Sequence, residues 1–440
     1  VMRTVVTGGA GLIGSHLVKR LLDEGREVII VDDFSRGSLQ NLLDLGIPLS
    51  QSPSISTNLH QSQQASTNLS PNLHKSQPVS TNLKLLKSDL RNYEEALRAI
   101  EGAEVVYHLA ARVGSLKYLH GSELAELAAL QTNLLIDINV FRACLEKGVK
   151  KLIYASSCAV YPMHRQFSLN AVFSEPDLDL TTLTLHSSGV GPRTSDSGHK
   201  TQDLGLRTSD IGHRTIIDPD GGYGWAKLLG ELQLSWMAKA GQVDDSRPGT
   251  QDLGLGTIQI GIARIFNVYG ENEPLGEKAH VVADLIRKAI LYPEVEFIVW
   301  GDGTQTRDFL YVSDCVDALI KLEEKISNLN ESQPISINLS QSPNLPQSPQ
   351  ISIESPLTIN IGSDTPVPIS VLAEKIVKIS GKDIKIKYDP SKPVGPLSRT
   401  ANITKAREIL NWKPEVSLED GLRRTYTWVE KRLAETDGDR

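Results

Sequence analysis

The start of the chain constrains the fold most. Residues 3–9, RTVVTGG, make a short β-branched strand that runs into glycine. Gly8, Gly11 and Gly14 then follow at Gly-x-x-Gly-x-x-Gly spacing, and Leu12, Ile13, Leu17, Val18, Leu21 and Leu22 give the apolar face of a helix beginning there. A second strand, REVIIVDD, ends in Asp32 and Asp33. Strand, glycine turn, helix, strand and acid in this order predict a βαβ unit of an α/β, doubly wound parallel sheet. Glycines let the backbone approach a pyrophosphate, and the helix N-terminus offers free N–H groups and the positive end of its dipole. Asp32 lies 18 residues beyond Gly14, close to the spacing of about 20 at which an acid reaches the adenosine ribose. A carboxylate there disfavours a 2′-phosphate, so the unit predicts NAD rather than NADP.

Later strand ends extend this picture. LLKSDLRN places Asp89 and Leu90 where an adenine edge would lie, and AEVVYHLAA runs into Leu109, Ala110 and Ala111, small enough to let a cofactor pass. His108 in that strand reads equally as a site residue or a buried structural one. KKLIYASSCAVYP (150–162) is a strand ending in Ser156 and Ser157, and GGYGWAKLLGE (221–231) carries Tyr223 and Lys227 one helical turn apart. Such a pair leaves one face of a helix and by itself describes a solvated face just as well. Ligands of doubly wound sheets bind beyond the carboxyl ends of the strands, which puts Ser157 opposite Tyr223 and Lys227. A cationic Lys227 would lower the pKa of Tyr223. Tyr223 is then a general base at a sugar hydroxyl, Ser157 holds the reacting oxygen, and NAD takes the hydride.

Four stretches differ from this α/β text. Residues 47–83 and 326–356 are rich in Ser, Gln, Asn and Pro, with STNL at 56–59, 66–69 and 80–83; RTSD recurs at 193–196 and 207–210, and TQDLGL at 201–206 and 250–255. They lack the apolar periodicity needed to offset chain entropy and read as low-complexity insertions in surface loops, where added length costs little. The expected layout is a Rossmann domain over 1–266, with insertions at about 47–83, 180–215 and 246–257. A smaller α/β substrate lobe follows over 267–440, built mainly from about 267–295 and 352–432, with a segment near 300–325 on the Rossmann side and an insertion at about 326–356. The insertion before Tyr223 is either an appendage to a substrate lid or a neutral passenger. A net charge of −7 argues against nucleic acid as a partner. Cys144, Cys158 and Cys315 are too few and scattered for a disulfide framework or a metal site. With no leader and no membrane-length apolar run expected, the predicted setting is cytoplasmic.

TGGAGLIGSHL, YASSCAVYP and YGWAK together resemble the extended short-chain dehydrogenase/reductase superfamily, in its nucleotide-sugar epimerase/dehydratase branch. ARIFNVYGENE (263–273), VWGDGTQTRDFLYVSDCVDAL (299–319), NIGS (360–363) and NWKPEVSLEDGL (411–422) extend the likeness across nearly all the chain outside the insertions. The resemblance implies an NAD-dependent enzyme acting on a nucleoside-diphosphate sugar through a transient 4-keto intermediate. By carry-over, Asn267 contacts the sugar or its diphosphate, and Arg307 and Arg399 grip the diphosphate, a role that suits a bidentate guanidinium; the bland reading of each arginine is a surface salt bridge.

GEKAHVVADLIRKA (276–289) offers Glu277, Lys278, His280 and Lys288 to the substrate and is similar to the GDP-mannose 3,5-epimerases, whose Glu-Lys-Ala lysine falls on Lys278. The same run resembles the GDP-fucose synthases, whose histidine acid falls on His280. In both groups the catalytic cysteine aligns with Ala159; here Cys158 stands one residue earlier, and on a strand that shift reverses the face. Cys158 is therefore either a displaced catalytic thiol or core. Without a second acid/base pair, a UDP-sugar 4-epimerase or a UDP-glucuronate decarboxylase is the alternative, and a non-catalytic NAD-binding sensor the alternative of another class. The resemblance also implies a homodimer built on the Tyr223 helix and its neighbour. The stripe Leu134, Ile138, Phe141 and Leu145 either serves that interface or covers the sheet.

Overall fold

Seven strands rich in Val, Ile and Leu pair side by side, all parallel, in a computed structural model that describes residues 2–49, 82–178, 217–240, 258–328 and 356–438. They are β1 (Arg3–Thr7), β2 (Glu27–Asp32), β3 (Leu83–Lys87), β4 (Val105–His108), β5 (Lys151–Ser157), β6 (Gln259–Ile265) and β7 (Leu357–Ile361), in the order β7-β6-β5-β4-β1-β2-β3. Side chains alternate between two covered faces, as in a parallel sheet buried on both sides. Val6 and Ile153 meet the helices Leu12–Asp23 and Val312–Ser327. Val5, Leu152 and Tyr154 meet the helices Tyr93–Ala99, Glu123–Glu146 and Gly221–Ala240. The order reverses between β1 and β4, and Thr7 pairs in register with both Val31 and His108. Their carboxyl ends therefore open one crevice at the switch point, where such sheets bind ligands.

A third core holds the smaller lobe together. Leu285 and Ile286 of the helix Val281–Ile290, Leu372 and Ile376 of Ile369–Ser380, and Leu422 and Val429 of Leu418–Gly438 pack there with Phe297 and Val299.

The observed division differs from the expected one in two places. Leu357–Ile361, assigned from sequence to the lobe, is the seventh strand of the main sheet, paired with β6. Residues from Ala401 to Trp412 also join the sheet's core rather than the lobe's. A short apolar strand does not announce which sheet it will join. The helix Val312–Ser327, within the segment near 300–325, packs on the sheet face. The predicted insertions lie almost wholly outside the described residues; at their edges Ile47, Leu49 and Leu83 are buried core.

By length and a mean hydropathy of 1.2 the helix Glu123–Glu146 meets the requirement for a membrane span, where the sequence reading expected no such run. In the fold it lies on the sheet, with Asn133 and Asp137 on its buried face beside Val140 and Phe141. Its expected stripe is not one face: Phe141 is buried while Ile138 is 45% exposed.

Candidate active site

A cavity of about 920 Å³ runs along the carboxyl edge of the sheet and under the lobe. One end is built from backbone. Gly8, at φ +68°, closes the turn after β1, and its N–H donates to the Val31 carbonyl at 2.8 Å. A side chain at Gly8 would stand 2.9 Å from the Ala110 nitrogen, and one at Gly14 would collide with the Gly8 carbonyl oxygen. The helix Leu12–Asp23 has Gly11 at its N-cap and no side chain capping it, which leaves its first-turn N–H groups for a ligand. Gly8, Gly11, Leu12, Ile13, Gly14, Asp32, Leu90, Leu109, Ala110 and Ala111 all line the cavity. The backbone cradle and the acid beside it fit a dinucleotide.

Asp32 is braced for that role. Its Oδ2 accepts the Ala10 N–H at 2.9 Å and its Oδ1 the Phe34 N–H at 2.8 Å. Burial pushes its carboxyl up against these two bonds. Asp89 is a correction: it does not line the cavity, and its carboxylate is held by the Arg91 guanidinium at 2.6 Å. Leu90 faces the cavity instead. His108 takes the structural role. Thr7 Oγ1 accepts the N–H groups of Leu109 and Ala110, so its proton goes to His108 Nδ1 at 2.7 Å, and His108 Nε2–H donates to Asp137 Oδ1 at 3.0 Å.

Further along the cavity the lining turns from backbone to side chains. Ser157, Cys158, Asp220, Tyr223 and Lys227 meet there, contributed by the end of β5 and the start of the helix Gly221–Ala240. Ser157 and the Tyr223 phenol both line this stretch of the cavity, and the Ser157 hydroxyl works to lower the phenol's pKa. Burial pushes the Tyr223 phenol up, and the Ser157 hydroxyl and the Arg36 charge work against that. Lys227 is 1% exposed, and its ammonium lies 4.5 Å from the centre of the Tyr154 ring, whose hydroxyl donates to Asp137 Oδ2 at 2.6 Å. Burial lowers the Lys227 pKa, and the Asp137 and Glu231 charges work against that.

Beneath the pair runs a buried ion pair. Arg264 Nη2 donates to Glu231 Oε2 at 2.7 Å, and Ser156 Oγ donates to Glu231 Oε1 at 2.5 Å. Arg264 Nη1 also donates to the Glu175 carbonyl, and Nη2 to the Leu178 carbonyl as well. The network ties β5, β6 and the Tyr223 helix to the stem of the loop before Tyr223.

The Cys158 question is answered by the end of the strand. β5 stops at Ser157, and Cys158–Val160 forms a turn of 3₁₀ helix. Strand alternation no longer applies, so Cys158 reaches the cavity without a bulge. Its Sγ lies 4.0 Å from Ser157 Oγ and 3.9 Å from Arg399 Nη1. Burial pushes the thiol up, and the Arg399 charge offsets this only in part.

Arg399 is no surface salt bridge. It is 9% exposed, with Nε on Gln166 Oε1 at 2.6 Å and Nη2 on Asp220 Oδ2 at 2.6 Å. Arg307 lines the cavity nearby, and its guanidinium donates to the carbonyls of Thr306, Val394 and Pro396. Burial, with the Arg399 charge behind it, pushes Arg307 down to about 10. Two guanidinium groups crowded this way favour an anion between them.

Asn267, Glu277, His280 and Lys288 also line the cavity. Asn267 Nδ2 donates to the Asp308 carbonyl and Lys288 Nζ to the Ile298 carbonyl. His280 Nδ1 pairs with Glu273 at 2.7 Å. Glu277, 84% exposed at its side chain, pairs with Lys117 at the rim. Lys278 Nζ donates to the Ser35 carbonyl at 2.8 Å, near the Tyr118 ring, and Ser35 and Tyr118 both line the cavity. Among the described residues no cluster of three or more His, Cys, Asp and Glu side chains could hold a metal ion.

The model of the NAD-dependent epimerase/dehydratase family matches residues 4–179 and 197–338, most of the chain. The chain belongs to that family. It is 25% identical over 433 residues to GDP-mannose 3,5-epimerase 1 of Oryza sativa subsp. japonica, covering 98% of this chain and 82% of that protein. It is also 25% identical over 440 residues to UDP-glucuronic acid decarboxylase 1 of Arabidopsis thaliana, covering 99% of this chain and 72% of that one. Among solved structures, UDP-glucose 4-epimerase of Thermotoga maritima with UDP-glucose superposes with a TM-score of 0.63 at 22% identity, covering 98% of this chain and all of that one.

Within this NAD-dependent epimerase/dehydratase, sequence reasoning missed three side chains at the substrate end. His120 and Asp220 line the cavity, and Glu126 holds both His120 Nδ1 and the Gly222 N–H at 2.6 Å. The Gly221–Gly222 pair before Tyr223 was the only signal in the sequence, and it pointed to close packing without naming the partner.

Proposed function

We propose that this enzyme is a nucleotide-sugar epimerase working through a transient 4-keto sugar, with GDP-mannose as substrate and C3 and C5 as the carbons inverted. The observation that carries the reading is that Ser157 and Tyr223 line the same cavity as the glycine cradle. Tyr223, acting as the phenolate, accepts the proton of the C4 hydroxyl while Ser157 donates to the developing carbonyl oxygen. NAD supplies the hydride exchange at C4 and is regenerated in each turnover. Lys227, fixed between the Tyr154 ring and the Asp137 and Glu231 charges, orders this end of the site. In this reading Arg307 and Arg399 hold the diphosphate, and Lys288, which lines the same cavity, contributes to holding the substrate.

Two features support the finer assignment: the similarity to the rice GDP-mannose 3,5-epimerase along 98% of the chain, and a Cys158 thiol kept protonated at the cavity wall by burial. Replacing Tyr223 with Phe tests the chemistry. Turnover should fall by about a thousandfold with NAD binding, measured by titration calorimetry, unchanged. Unaltered turnover would refute it.

A second reading, a UDP-sugar 4-epimerase or UDP-glucuronate decarboxylase, is favoured by the position of Lys278 on the Ser35 carbonyl. Assays of GDP-mannose against UDP-glucose and UDP-glucuronate separate the two.

The same reading includes a homodimer. Leu127, Leu135 and Ile138 on one helix and Trp225 and Trp236 on its neighbour are exposed. Spacings of eight and three positions on the first helix and eleven on the second keep each set on one helical face. A second copy of the chain, related by a two-fold axis, would cover this face.

A further inference from the structure

Gly221 and Gly222 stand immediately before Tyr223, and neither the cofactor cradle nor the hydride chemistry uses them. Gly221 has φ +56°, a conformation that favours glycine. A side chain there would stand 2.5 Å from Glu126 Oε2 and 2.9 Å from His120 Cε1. At Gly222 a side chain would collide with the Glu126 carbonyl oxygen. The pair makes room for His120 and Glu126 against the start of the Tyr223 helix.

Glu126 is held from both sides. Its Oε2 accepts the Gly222 N–H at 2.6 Å, and its Oε1 lies 2.6 Å from His120 Nδ1. A carboxylate that only accepts fixes the proton of His120 on Nδ1, as in carboxylate–imidazole pairs that orient a base. The other ring nitrogen, Nε2, is then the basic one. It lies on the cavity side, 3.9 Å from Asp220 Oδ1. Asp220 Oδ2 is bonded to Arg399 Nη2 at 2.6 Å, and Arg399 Nη1 lies 3.9 Å from the Cys158 sulfur. His120 and Cys158 thus stand at opposite ends of an Asp220–Arg399 bridge, both on the wall of the cavity that Ser157 and Tyr223 also line. Lys278 is not in this group.

We propose that His120, oriented by Glu126, is the base that works with the Cys158 thiol on the carbon next to the 4-ketone, the task the sequence resemblance gave to Lys278. The proposal rests on the transient 4-keto sugar of the preceding section. The C–H bond next to the ketone breaks, and its proton passes to His120 Nε2. The electron pair forms the C=C bond of an enolate, whose charge on the C4 oxygen is met by the Tyr223 and Ser157 hydroxyls. The Cys158 thiol gives its proton to the opposite face of that carbon, inverting it. The resulting imidazolium then returns a proton to the thiolate through solvent, so the site ends as it began. Asp220 and Arg399 position the two groups.

The test uses the full chain with NAD in D2O and GDP-mannose, UDP-glucose and UDP-glucuronate in turn. Deuterium entry at C3 and C5 is followed by proton NMR, and hydride transfer by the absorbance of the reduced cofactor. The expected result is that His120→Gln slows deuterium entry by about a hundredfold and slows hydride transfer far less. Glu126→Gln, which keeps the shape and loses the charge, should slow it by about tenfold. Deuterium entry in His120→Gln within twofold of the parent chain overturns the proposal. So does a parent chain that transfers hydride without deuterium entry, and that outcome leaves the 4-keto chemistry standing. Absence of hydride transfer with all three sugars removes the 4-keto reading, and this proposal with it.

Discussion

The two ends of the cavity are made of different material. The nucleotide end is backbone: glycines at positions 8, 11 and 14, an uncapped helix start, and one braced acid, all within the first 32 residues. The substrate end is side chain: His120, Cys158, Asp220, Arg307 and Arg399 come from distant parts of the chain and are held by buried charges. A backbone cradle recognises a ligand common to many reactions and depends on few residue identities. A cluster of side chains sets which reaction occurs, and each member depends on the others for its charge state. Such clusters are costly when broken, because the survivor is left as an unpaired buried charge.

That contrast orders the effects of substitution. The largest falls on the ion pair under the substrate end. Arg264→Leu leaves Glu231 buried without its partner and should cost about 3–5 kcal/mol of stability, read as a lower midpoint in urea. Arg264→Leu combined with Glu231→Leu should recover much of that loss, and no recovery would show that the pair is not the cause.

At the other end, Gly14→Ala forces the Gly8 carbonyl aside and should weaken NAD binding by at least about tenfold, 1.4 kcal/mol, with little change in the midpoint. Equal affinity would break the claim that the cradle is built by close backbone approach.

A smaller effect concerns pH. Burial pushes the Asp308 carboxyl up to about 6, although the N–H groups of Ser363, Asp364 and Ala401 favour its charge. The folded chain then binds this proton more tightly than the unfolded chain, whose aspartates titrate near about 3.9. Stability from this group is present below about pH 4 and is lost as pH rises through about 6. The stability difference between the parent and Asp308→Asn should accordingly narrow across that window in melting scans. A difference independent of pH would contradict it.

The smallest effect on the site should come from the exposed face. Trp225→Glu is expected to give monomers by light scattering while NAD affinity stays within twofold.

The same contrast explains what was legible. The cradle, its helix, Asp32 and the Tyr223–Lys227 spacing are local patterns fixed by one strand or one turn of helix, so they were readable. The pairing of Asp220 with Arg399 spans 179 positions, and no local period records it. Lys278 was read by likeness to a motif, which did not show that its long side chain finds the Ser35 carbonyl. Cys158 was judged by strand alternation, and the strand had already ended. The assignment of β7 failed because an apolar pentapeptide fits either sheet. His120 and Glu126 left only an indirect mark, two glycines whose need for space becomes clear once their neighbours are in place.

The most direct test of the account is proton NMR of the full chain with NAD and GDP-mannose in D2O. The account predicts that the C3 and C5 proton signals disappear while the C4 proton, carried to the cofactor and back, is retained. Retention of the C3 and C5 protons, with a UDP-sugar turned over instead, would contradict the GDP-mannose assignment and place the chemistry at C4 alone.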